Sequence, residues 1–184
     1  MARHDAPARD LALIDALAAC EREVHGSDCW RVVPAGRDPL LGWPSKSRWC
    51  DGSFDILYTS LESDGAIAEI DAMLRMQPVI PSKMTFSLFA LYASTEQTLR
   101  IADMRMLARL GVDIARYKER DYSRTSAIAE TAHFLEYDGL IAPSTRHDCF
   151  NFMVFTDRAG PDTIGLVAGE PKAVDFQQWR QARR

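Results

Sequence analysis

Apolar positions along this chain switch between a helical period and a strand period several times. Between Asp10 and Glu23, Leu13, Ile14, Leu17 and Ala18 recur at spacings of three and four, which predicts an amphipathic helix over about 10–24. Trp30-Arg31-Val32-Val33 reads as a short strand ended by Pro34. Residues 34–47 carry Pro34, Gly36, Pro39, Gly42 and Pro44 and read as loop. Phe54 to Ser60 is strand-like. Ser63 is placed to cap a helix with Asp64 in its first turn, running to about Met76, ahead of Pro78. Met84 to Ala93 alternates and predicts a central strand, and Leu99 to Asp103 a shorter one. Met104 to Leu110 reads as a helix stopped by Gly111. Residues 112–124 are charged and irregular. Ser126 then caps a helix to about Phe134 or Leu135. Asp138-Gly139 is a turn, and strands follow at Leu140–Ala142, Phe150–Phe155 and Thr163–Ala168. A closing helix runs over about 175–182. Helices and strands mix without regular alternation, which predicts an α+β fold.

At 184 residues the chain reads as a single domain with a substantial core. No run approaches the roughly 18 apolar residues of a membrane span. Met1-Ala2-Arg3-His4-Asp5 has no apolar stretch behind it, so residues 1–8 read as a loose polar segment and not as a secretory signal. These features predict a cytoplasmic protein with no membrane attachment. The net charge of −4 argues against broad adhesion to nucleic acid. Cys20, Cys29, Cys50 and Cys149 form no Cys-x-x-Cys pair, and His4, His25, His133 and His147 show no ligand spacing, so no metal site is expected. Four free, mostly buried thiols are the simpler expectation.

The chemistry-bearing residues cluster between Trp30 and Glu69. Arg31 lies inside an apolar run, and Arg48 sits between Trp43 and Trp49. Tyr58 lies mid-strand and Ser60 at the strand's end. Glu69 shares a helix face with Ala66 and Met73, at i−3 and i+4. An arginine, an aromatic hydroxyl and a carboxylate on successive elements suit a substrate with a phosphate-rich end, a flat ring and a bond that breaks to leave a cationic sugar. Each residue also has a plainer use: surface arginine, core tyrosine, solvated helix glutamate, turn serine. Glu62, in the turn before the helix, reads as surface or capping support. The run Arg116-Tyr117-Lys118-Glu119-Arg120-Asp121-Tyr122-Ser123-Arg124 mixes basic and aromatic residues, but Glu119 and Asp121 interrupt its charge. It reads as a solvated loop near the cleft.

Trp30-Arg31, Ser47-Arg48-Trp49-Cys50, Leu57-Tyr58-Thr59-Ser60, Ala68-Glu69 and Pro143-Ser144-Thr145-Arg146, in that order, resemble the RES-domain family. Its members are toxins of bacterial toxin–antitoxin pairs that act on NAD+. The second segment departs from the family's Gly-Arg-Trp-Asn pattern at Ser47 and Cys50. The resemblance covers most of residues 28–158. It implies an ADP-ribosyltransferase-like split, mostly antiparallel β core flanked by helices. It also implies that Arg31, Arg48, Tyr58, Ser60 and Trp49 bind NAD+ as substrate, and that Glu69 stabilises the cationic sugar with Arg48, Tyr58 and Ser144 around it. Ser144 is expected to hydrogen-bond the glutamate or the substrate. No Gly-x-Ser-x-Gly elbow marks it as a nucleophile.

The implied activity is cleavage of the nicotinamide–ribose bond and transfer of ADP-ribose to a protein, to phosphate or to water. The implied partner is a helix-turn-helix, Xre-like antitoxin that blocks the cleft and carries any DNA binding. The alternative is a non-catalytic binding module on the same fold.

Overall fold

The computed structural model describes residues 9–78, 84–160 and 162–183. The segment expected to be loose, residues 1–8, lies outside them. The fold is α+β, with a central sheet flanked by helices. In chain order the elements are α1 (Leu11–Ala18), β1 (Arg22–Pro34), β2 (Ile56–Ser60), α2 (Ser63–Leu74), β3 (Phe86–Arg100), α3 (Met104–Arg109), a 3-10 turn at Ile114–Arg116, α4 (Ser123–Phe134), β4 (Gly139–Pro143), β5 (Phe150–Phe155), β6 (Ile164–Leu166), β7 (Lys172–Ala173) and α5 (Phe176–Gln181).

Two long strands organise the sheet. β1 pairs antiparallel with β3 from Arg22↔Leu99 to Pro34↔Phe86. β3 continues into a parallel pairing with β4, and β4 with β5, β5 with β2 and β2 with β1 are all antiparallel. The pairing therefore closes on itself through five strands, with β6 and β7 added along β3. Among the described residues only β3 with β4 is parallel, and the connection between them supplies α3 and α4.

Several boundaries differ from the sequence reading. α1 stops at Ala18, and β1 begins at Arg22, far upstream of Trp30. The early half of β1 turns Glu23, His25 and Ser27 inward, so its strand period carries no apolar signal. The two strands expected at 84–93 and 99–103 are one strand. Its polar middle is a bulge at Glu96 and Gln97, where the pairing shifts register. The buried Asp138 carboxylate satisfies that bulge, accepting from the Glu96 and Gln97 amides at 2.8 Å each. Ser63 and Ser126 are not caps: α2 starts from Glu62 and α4 from Tyr122, neither with a side-chain cap bond. Gly111 does end α3, with φ +84° and its N–H bonded to the Ala108 carbonyl.

Strand alternation sorts the apolar side chains into separate cores. On one face Ile56, Met153, Phe155, Leu140 and Ala142 pack with Leu13, Leu17, Ile128, Ala129 and Trp49. On the other, Leu57, Phe152, Val154 and Ile141 meet Cys29 and Leu91 inside the closed pairing. A third cluster sets α2 against β1 and β3 through Val32, Ala66, Ile67, Leu74 and Phe86. All four cysteines are free. Cys29 and Cys50 are buried, and Cys20 and Cys149 are half-buried.

Candidate functional site

β2 and β5 run side by side with Ser60 opposite Asn151 and Tyr58 opposite Met153. Period-two alternation puts Tyr58 and Asn151 on one face, as diagonal neighbours. Ala142 of β4 is paired with Asn151, and Ser144 follows two residues on, so it points the same way. α2 crosses this end of the sheet. Gly65 permits the approach: a Cβ there would collide with Ser60 Oγ and Cys149 Sγ. One helical turn later Glu69 reaches Ser144 and Asn151.

The resulting network is specific. Ser144 Oγ donates to Glu69 Oε1 at 2.9 Å, and Asn151 Nδ2 donates to the same oxygen at 2.9 Å. Asn151 Nδ2 also donates to the Tyr58 hydroxyl at 2.9 Å. The Arg146 amide donates to Ser144 Oγ, which fixes that hydroxyl's proton toward the glutamate. No partner for Oε2 is found among the described residues, and Glu69 lines the cleft. Burial, and next the Glu69 charge, push the Tyr58 hydroxyl well above its ordinary value. Tyr58 therefore stays a neutral phenol.

Arg48 is buried and approaches from the other side. Its Nη1 donates to the Tyr117 carbonyl at 2.6 Å, and its Nη2 to the Glu119 carbonyl at 3.1 Å and to Thr145 Oγ1 at 3.4 Å. Its guanidinium carbon lies 4.9 Å from the Tyr117 ring centre and 4.7 Å from that of Tyr122. No carboxylate pairs with it among the described residues, so its charge remains available to the cleft. Arg31 Nη1 donates to the Pro39 and Leu41 carbonyls at 2.7 and 2.9 Å, tying down the loop after β1. Burial, with a smaller contribution from Arg37, pulls its guanidinium down to about 10, still cationic at neutral pH.

These groups open onto one cleft of about 810 Å³. That is within the range of small-molecule sites. Arg31, Arg37, Lys46, Arg48, Arg120 and Arg146 line it, against Glu69 as the single carboxylate among the described lining residues. A chain of net charge −4 thus concentrates six cations of its described residues on one concave surface. An apolar wall of Ile70, Met73, Met76, Met84 and Phe86 flanks them. No group of three or more His, Cys, Asp or Glu side chains among the described residues is placed to hold a metal ion. No helix among them is long and apolar enough to cross a membrane.

Arg31, Arg48, Tyr58, Ser60 and Glu69 all border this cleft, and Ser144 stands behind Glu69. Ser60 holds the strand-to-helix turn, accepting from the Glu62 amide and lying 3.3 Å from Cys149 Sγ. Trp49 is a correction. It is fully buried in the core, its Nε1 has no hydrogen-bond partner among the described residues, and it does not line the cleft. Arg48 and Trp49 are the two residues of a tight turn closed by the Ser47–Cys50 bridge, and the turn sends one side chain to the cleft and the other into the core. Glu62 is exposed, 3.5 Å from His147. Of the mixed run 116–124, Arg120 and Tyr122 face the cleft. The sequence reading missed Asn151, although it is the lone polar residue in Phe150-Asn151-Phe152-Met153-Val154-Phe155. It also missed Arg37, Lys46 and Arg146, which carry no such contrast with their neighbours.

The family model described as RES domain matches residues 28–176. No curated protein matches the chain. Among solved structures, the crystal structure of the M. tuberculosis MbcT–MbcA toxin–antitoxin complex contains a similar chain. It superposes with a TM-score of 0.81 at 18% identity, over 96% of this chain and 99% of that one. At that identity the likeness speaks for the fold.

Proposed function

The chain belongs to the RES-domain family, and from that premise we propose that it is the toxin of a toxin–antitoxin pair that cleaves the nicotinamide–ribose bond of NAD+. The observation that carries this reading is Glu69, locked through Oε1 by Ser144 and Asn151, in a cleft lined by six cations. A dinucleotide's pyrophosphate suits the guanidinium-rich wall to which Arg48 belongs. The Tyr58 ring offers a flat face for nicotinamide or ribose. Glu69 Oε2 is free to accept from a ribose hydroxyl and to stabilise the sugar as it becomes cationic.

In the step itself the C1′–N bond breaks and its electron pair neutralises the nicotinamide ring. An acceptor then attacks C1′ and loses its proton to solvent or to Glu69. Ser144 and Asn151 act as donors that hold the carboxylate. Protein, phosphate and water remain the three acceptor classes. The partner proposed is a helix-turn-helix antitoxin that covers the cleft. Support comes from the family match and from the likeness to a chain crystallised as a toxin–antitoxin complex.

The test is incubation of the purified protein with labelled NAD+, with and without phosphate and with cell lysate. Free ADP-ribose, its phosphate ester or a labelled protein band identifies the acceptor. Glu69→Ala should abolish NAD+ loss while the far-UV spectrum stays unchanged. Absence of turnover in all three conditions would favour a binding module instead.

A further inference from the structure

The short C-terminal helix α5 grips α2 on the side away from Glu69. Asp64 and Asp71 are seven residues apart and therefore share a helix face. Glu69, two residues before Asp71, lies about 200° around the helix from it. Asp71 is buried between two guanidinium groups. Arg180 Nε donates to Oδ1 at 2.7 Å and Arg75 Nε to Oδ2 at 2.8 Å. Asp64 accepts from Trp179 Nε1 at 2.8 Å and pairs with Arg183, whose guanidinium carbon lies 4.6 Å from the centre of the Trp179 ring. The Arg183 pair, with the Trp179 bond, holds the Asp64 carboxyl below its ordinary value.

The apolar contacts run through the same joint. Phe176 meets Phe86 edge-on at 5.5 Å, and Phe176 and Trp179 pack against Val32, Ala66, Leu74 and Phe86. With Ile67, which does not line the cleft, these four make up the cluster, and the four themselves do line it. α5 has six residues, too few for a helix to persist alone, so its order comes from this docking. The family match ends at Phe176, which puts Trp179, Arg180 and Arg183 beyond it.

We propose that Trp179 and Arg180 are positioning residues. By clamping Asp64 and Asp71 they fix the rotation of α2 about its axis, and with it the reach of Glu69 to Ser144 and Asn151. This inference rests on the reading of Glu69 as catalytic. A rotation of α2 would move Glu69 sideways, and a displacement near 1 Å at a reacting group costs about 10²-fold in rate.

The test uses full-length Arg180→Ala and Trp179→Phe. Arg75 still neutralises Asp71 in the first, and the second removes the N–H to Asp64 and trims the indole to a single ring that keeps an aromatic face in the joint, so both proteins are expected to fold. The kcat for NAD+ loss should fall about 10- to 100-fold with KM within threefold of wild type. Arg180→Lys should recover much of that loss. In a Glu69→Gln background, Arg180→Ala should cause no further drop, because the effect passes through Glu69. Hydrogen exchange should show lost protection in α2 around Ala68–Met73. An unchanged kcat, or an additive loss in the Glu69→Gln background, would overturn the clamp. If wild-type protein leaves NAD+ intact, the functional reading fails by itself. Exchange then decides the clamp: unaltered α2 protection in Arg180→Ala overturns it.

Discussion

Asn151→Asp puts a second carboxylate where a donor now stands, 2.9 Å from Glu69 Oε1. Asn151 is 1% exposed, so water gives little screening there. Two unit charges at that distance repel by about 6 kcal/mol at an effective dielectric constant near 20. The pair escapes by binding one proton. Protonating an aspartate of ordinary pKa, about 3.9, costs about 4 kcal/mol at pH 7 and about 1.5 kcal/mol at pH 5. Protonation is the cheaper route, so the expected loss is about 3–4 kcal/mol at pH 7, since the shared proton restores one hydrogen bond. The sign follows from linkage. The folded pair binds more protons than the unfolded chain, so the penalty is absent below the unfolded pKa and grows as pH rises toward the folded one. For a chain of this size Tm should fall by roughly 6–15 °C at pH 7. Thermal melts of wild type and Asn151→Asp at pH 5, 6 and 7 measure this, with the gap between them narrowing on acidification. A gap under about 1 kcal/mol, or one equal at pH 5 and 7, would refute the idea that Asn151 serves Glu69 as a buried hydrogen-bond donor.

Two further predictions concern other groups. Arg48→Lys keeps the charge but loses the fork that joins the Tyr117 and Glu119 carbonyls and the stacking between Tyr117 and Tyr122. One buried carbonyl left unpaired should cost about 2 kcal/mol and lower Tm by roughly 4–8 °C, and KM for NAD+ should rise; an unchanged melt would show that the carbonyl contacts contribute nothing. His25 sits against Phe152 with Arg100 3.1 Å from Nδ1, Glu23 bonded to that arginine and Ser27 on Nε2. Burial, then Arg100, holds its pKa below the ordinary 6.5, so folding favours the neutral ring and stability drops as pH falls through 6.5 toward the folded value. His25→Gln should flatten the Tm profile between pH 7 and 5, and a parallel profile would count against this account.

Helical spacing located α2, and short apolar runs bounded by turn residues located β2, β4 and β5, which the fold buries almost throughout. The helical spacing also placed Glu69 beside Ala66 and Met73, and all three line the cleft. The alternation of β1 was hidden by polar residues turned inward, and β3 was split in two by a bulge that Asp138 repairs from 41 or 42 residues away. Only the closed strand pairing could bring Asn151 to Glu69 across 82 residues and the Tyr117 and Glu119 carbonyls to Arg48 across 69 and 71. It likewise sent Trp49 into the core while its neighbour Arg48 turned to the cleft. Local sequence encodes which side of its own element a residue faces. Which faces meet is set by long-range packing, and both the charge of this cleft and the hold on its glutamate come from that.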